Sequence, residues 1–258
     1  MLTVLTAFVL AASGQDPPPP AEPQPTTQPR FVDFSADLDR ASVSVHLGRL
    51  GKLTEGTRQP LPDRKPARLG SHPAVSGTQF FKVEATSVMK VQRVLRGIKP
   101  GAVKLTIELQ VARAPDGAER RQLLTGNGAD VGEDMFGLFV FEQFDGPLFA
   151  GPVQRLLHTI PFDPRVDTGA DGERVFAERM HDVFWVNEHM AALRRAITAV
   201  DAAQDGEPRA KAQAELRQRV AARPKLKSSE NEPLFVQHVV PLERTAAQRL
   251  DGGARRDK

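Results

Sequence analysis

The 258-residue chain has no cysteine, no tyrosine and only one tryptophan. Without cysteine there are no disulfides, thiolate nucleophiles, zinc ribbons, iron–sulfur clusters or lipid-modified cysteine anchors, so stability must come from packing. With one tryptophan, no tyrosine and no aromatic ladder beside Lys90 and Lys104 on the polar strand face, the sequence argues against nucleic acid as a partner. Long hydrophobic stretches are also missing. The apolar run at residues 1–14, MLTVLTAFVLAASG, is too short for a membrane-spanning helix, which needs about 20 residues.

What that run does contain is an export pattern. It closes on Ala12-Ser13-Gly14, small side chains of the kind a signal peptidase accepts, and cleavage is expected after Gly14. Its positive end is weak, because only the amino terminus is charged. Residues 15–30 follow with seven prolines and no large apolar side chain, the composition of an extended polyproline-type spacer. An exported chain without disulfides fits a bacterial envelope, secreted or periplasmic, with no transmembrane segment in the mature protein. Charge is uneven although the formal net is only +3. From Gly206 to Lys258 there are twelve Lys or Arg against seven Asp or Glu. Such a region can meet an anionic surface or simply be a solvated face.

The hydrophobic periods define an α+β chain. Ser42 to Leu47 alternates as a half-buried strand, and residues 56–77, with four prolines and several arginines, read as a long loop. Phe80 to Arg96 alternates until Val94 and Leu95 break the period, which predicts a bulge. Lys99-Pro100-Gly101-Ala102 is a turn into the cleanest strand, with Val103, Leu105, Ile107, Leu109 and Val111 on one face. Met135 to Glu142 is apolar on both faces and predicts a central strand; Leu148-Phe149 and Leu156 to Phe162 could add one or two short ones.

After Asp163 the texture changes. Val175 to Ala203 has the helix period, and its stripe Val183, Val186, Met190, Leu193 and Ile197 should dock on the β unit. Glu207 to Ala222 predicts a second helix, and Leu234 to Val240 between two prolines reads as a last short strand. The resulting divisions are a leader (1–14), a spacer (15–30), an antiparallel β domain (31–165), a helical region (166–250) and a disordered tail (251–258).

Val88 to Gly97, followed by Lys99-Pro100-Gly101 and the strand Val103 to Val111, resembles the signature of exported bacterial OB-like β barrels, which are similar to the netrin and tissue-inhibitor-of-metalloproteinases module. Val43 to Gly48 matches an earlier strand of that pattern and Phe136 to Phe141 a later one, so the resemblance spans residues 41–142. It implies an OB-like barrel. The inhibitors act through an N-terminal cysteine that this chain lacks, so protease inhibition does not carry over. The resemblance also leaves the helical region unassigned.

The best metal candidate is the segment from Asp167 through Asp171 and Glu173 to Glu178, which follows the spacing of a calcium loop except for glycine at its third position. Ile160 to Pro164 cannot supply an entering helix, and Arg174 stands where an apolar anchor belongs, so a simple turn before a helix competes with calcium. Gly126 to Asp130 matches one calcium nonapeptide, an architecture that needs stacked copies. Glu178 and His181 have the i, i+3 spacing of a di-iron helix but no second pair. Ser87-x-x-Lys90 falls in a strand, where serine β-lactamase chemistry does not operate. Trp185 is expected to be half-buried in helix packing rather than to serve as a ligand platform. Two functions therefore stand side by side: a non-catalytic envelope module binding a partner protein or cell-wall component without a cofactor, and a calcium- or zinc-dependent protein or hydrolase centred on residues 167–189.

Overall fold

The computed structural model describes residues 31–61, 77–97, 100–144, 153–164 and 169–251. The leader, the proline spacer, most of the 56–77 loop, Lys99, Leu148-Phe149, Asp167 and nearly all of the tail lie outside these residues. The architecture is α+β: a seven-stranded mixed sheet in a partly ring-like arrangement, then four helices.

The strands are β1 (Val43–Leu50), β2 (Thr54–Pro60), β3 (Gln79–Arg96), β4 (Ala102–Arg113), β5 (Glu119–Leu123), β6 (Phe136–Phe144) and β7 (Val153–Pro161). β3 and β4 form a long hairpin in register from Gln79↔Arg113 to Lys90↔Ala102. β3 then bends onto β1, where the pairing skips Leu95 and Gln92, so the predicted bulge is present. Gly97, at φ +96°, packs so close to Ser44 that a Cβ would sit 2.4 Å from its hydroxyl. β6 pairs with β1 and β7, and β7 meets β4 at Leu105↔Gln154 and Thr106↔Arg155. That last contact is parallel, so the sheet is mixed and the expectation of a wholly antiparallel unit is corrected. The path β1-β3-β4-β7-β6 returns to β1.

β2 and β5 stand at the two ends of the strand order. Arg58 reaches Glu119 at 2.5 Å and Arg121 reaches Glu55 at 2.6 Å, tying the two together. β2 lies where the sequence reads as loop. Proline ends it at the edge of the sheet, and the irregular register between Glu55 and Arg58 absorbs Gly56, so its alternation is invisible in the text.

Strand alternation divides the sheet's apolar residues into two clusters. Met89, Val103, Leu105, Ile107, Leu109, Val111, Phe139 and Phe141 share the inner one, where each such side chain contributes about 2 kcal/mol on burial. The second joins Val43, Val45 and Leu47 of β1 and Phe136, Leu138 and Val140 of β6 to α1 (Gly172–Ala202) and to the arm before β1. β6 is therefore apolar on both faces because it serves both clusters.

α1 is shared in the same way. Phe176, Met180, Val183 and Phe184 pack on the sheet. Val186, Met190, Leu193, Ala196 and Val200 pack instead with α2 (Glu207–Ala221), α3 (Glu232–His238) and α4 (Val240–Asp251). The expected docking stripe is thus split between two layers, only Val183 of its five residues facing the sheet cluster. Leu234 to Val240 is helical, which corrects the predicted strand. Pro233 and Pro241 each occupy a first helical turn, where a missing N–H costs nothing, and Leu234, Phe235 and Val239 are the buried face. No helix among the described residues is long and apolar enough to cross a membrane.

Candidate functional site

Sheet on one side and helices on the other leave α1 a narrow exposed line. Along it His181 and Glu188 are partly buried, and Trp185 between them is 42% exposed. The four-residue spacing from His181 to Trp185 brings both rings to the same side of the helix. Trp185 Nε1 donates to His181 Nε2 at 3.0 Å, and the Phe184 ring lies edge-on at 5.5 Å. Because Nε2 accepts that bond, the neutral imidazole carries its proton on Nδ1, which lies 3.6 Å from Asp182 Oδ1, beyond hydrogen-bond reach. Burial, followed by repulsion from Lys227, pushes the His181 pKa below its ordinary value; Arg93 adds to this, while Asp182 opposes it.

Asp182 is fully buried. Its carboxylate accepts the backbone N–H of Lys227 at 2.8 Å and of Ser228 at 3.1 Å, and the side-chain amide of Asn231 at 2.7 Å. Donors directed at a buried carboxylate offset its desolvation, so the loop after α2 is fixed against α1. Across the line, Arg96 of β3 meets Glu188 at 3.3 Å. Arg93 and Lys227 are both exposed and have no carboxylate partner among the described residues. The buried carboxylate of Asp182 therefore anchors the loop that carries Lys227, and the adjacent His181 holds the exposed indole.

A second polar cluster joins the N-terminal arm to the sheet. His158 Nε2 lies 2.7 Å from Asp37 Oδ2; Arg40 contacts Asp37 and reaches Glu142 at 2.6 Å; and Ser42 donates to Glu142 at 3.0 Å. The His158 hydrogen bond is the main reason that the Asp37 carboxyl lies below the usual range. His158 Nδ1 has no hydrogen-bond partner among the described residues. Asn187 strengthens the same arm by accepting from Phe34 N and donating to Val32 O. These contacts fasten the arm to the sheet and to α1.

Three of the four proposed calcium ligands, Asp171, Glu173 and Glu178, are paired with arginines. Asp167 lies outside the described residues. Asp171 precedes the first turn of α1 and pairs with Arg174 at 3.2 Å; Glu178 pairs with the same arginine at 3.0 Å; and Glu173 turns to Arg49 of β1 at 2.5 Å. Among the described residues, no three His, Asp or Glu side chains are grouped for a metal ion. The arginine that spoils the calcium motif in sequence is the partner of two of its carboxylates. In the Gly126 to Asp130 segment, Asn127 bonds to Thr159 O and Asp130 to Arg120. Ser87 donates to Gly51 O, and His189 lies against Phe235 with its rings 6.0 Å apart.

Sequence reasoning missed the surface around Trp185. Arg93, Trp185 and Lys227 are far apart in the chain, and the one local signal was the His181–Trp185 spacing. No family model, curated protein or solved structure matches this chain.

Proposed function

We propose that this chain is a non-catalytic, exported module of the bacterial envelope, secreted or periplasmic, that binds a partner protein or cell-wall component on an OB-like barrel backed by helices. The carrying observation is the exposed Trp185, held in place by His181 and flanked by two rigid layers. A large aromatic surface kept in water and held by a hydrogen bond to a partly buried histidine is suited to a preorganised contact. The strand path β1-β3-β4-β7-β6, closed by a parallel β4–β7 contact, supports the OB-like reading. The leader and the proline spacer in the sequence support export and display away from an anchor point.

The test is cell fractionation of the full chain with intact-mass analysis. The reading expects an envelope-associated product beginning at Gln15. A cytosolic product that retains Met1 contradicts it.

A further inference from the structure

We propose that the exposed line of α1 binds an acidic saccharide, with the Trp185 ring under the sugar and Arg93 and Lys227 on its carboxylates. The inference rests on the reading of this line as a binding surface and adds the chemistry of the ligand. Trp185 already uses its N–H on His181 Nε2, so what it offers a ligand is ring surface. A flat apolar ring beside polar groups suits the carbon face of a pyranose, whose rim of hydroxyls remains wet.

The Lys227 N–H bond to Asp182 at 2.8 Å brings the loop after α2 to one side of the line, and the Arg96–Glu188 pair at 3.3 Å brings β3, with Arg93, to the other; both cations are exposed and have no carboxylate partner among the described residues. A guanidinium and an ammonium so placed are complementary to carboxylates. Glu188, held by Arg96, leaves an acceptor for sugar hydroxyls at the next turn of the helix. Part of the fit is preorganised, because the indole is bonded to His181 and the backbone of Lys227 to Asp182. The other exposed large apolar residues among the described ones, Val88, Val175 and Val236, are valines on three different elements. A bilayer-inserting face needs clustered apolar side chains, and a single-strand platform needs successive aromatics; this line has one aromatic and two cations.

Trp185 is the chain's only tryptophan, so its fluorescence reports the site directly. The full chain is titrated with polygalacturonate, with neutral dextran, with vesicles of phosphatidylglycerol and phosphatidylcholine, and with a thymidine oligonucleotide. Polygalacturonate should change the emission, in a salt-sensitive way, and dextran should not. Arg93→Gln with Lys227→Gln retains both the tryptophan and the Lys227 backbone bond, and it should weaken binding by about tenfold or more. Trp185→Ala, followed by calorimetry with its fold checked by circular dichroism, should lose binding as well. The proposal is overturned if polygalacturonate leaves the emission unchanged, if the double variant binds as well as the parent, or if vesicles or DNA act at lower concentration. An envelope-located, mature chain that fails these titrations would refute the saccharide while leaving the module reading intact.

Discussion

His46 should make this protein sensitive to mild acid. It alternates along β1 with Val45 and Leu47, which face α1, so it lies on the inner side of the strand with Leu50. It is 1% exposed, neither ring nitrogen has a hydrogen-bond partner among the described residues, and the Phe141 ring stands edge-on at 4.8 Å. Burial holds its pKa down to about 4 against an ordinary 6.5, and a contact with the Arg96 backbone offsets only part of that. Above pH 6.5 the imidazole is neutral in both folded and unfolded chains and contributes nothing to the pH dependence. As pH falls from 6.5 to about 4, the unfolded chain takes up the proton and the folded chain does not, so stability is lost across that window. At about 1.4 kcal/mol for each tenfold change in proton concentration, the loss reaches up to about 3 kcal/mol. Urea melts of the parent and of His46→Leu over this range measure it. The pKa values of His181, His189 and His238 are also lowered by burial, but they act in both proteins and cancel from the difference. Parallel stability–pH curves for parent and variant would refute the argument, whatever the baseline cost of the substitution.

Leu105 is fully buried in the inner cluster, so Leu105→Ala should cost about 2 to 5 kcal/mol in denaturant melts. Its neighbour Thr106, on the opposite face of β4, should tolerate alanine within about 0.5 kcal/mol. Asp182→Ala strands three donors, and it should destabilise the protein by about 2 to 4 kcal/mol while speeding amide exchange at Lys227 and Ser228 before the rest of the helical layer responds.

Period-two text was easiest to read where one face is core and the other wet, as in β4, and where both faces are core, as in β6. The bulge near Leu95 was legible because a broken period has few other causes. β2 was hidden by Gly56, Pro60 and an edge position that buries little. The segment Leu234 to Val240 is too short for its apolar residues to distinguish a period of two from one of 3.6, and prolines bound a strand as readily as they open a helix. The α1 stripe was visible, but one apolar face cannot announce that it is divided between two layers. As for the site, the calcium motif was local and therefore conspicuous, and the structure gives its carboxylates arginine partners. The Trp185 line is assembled from β3, α1 and the loop after α2, and only the fold brings those together.

The most direct test of the account is acrylamide quenching of Trp185 in the full chain, with and without envelope material to which the protein binds. The indole is 42% exposed and should be readily quenched in the free protein. Binding at the α1 line predicts strong protection from acrylamide in the bound state. Quenching that stays unchanged while the protein is bound would place the interaction elsewhere and contradict the central claim.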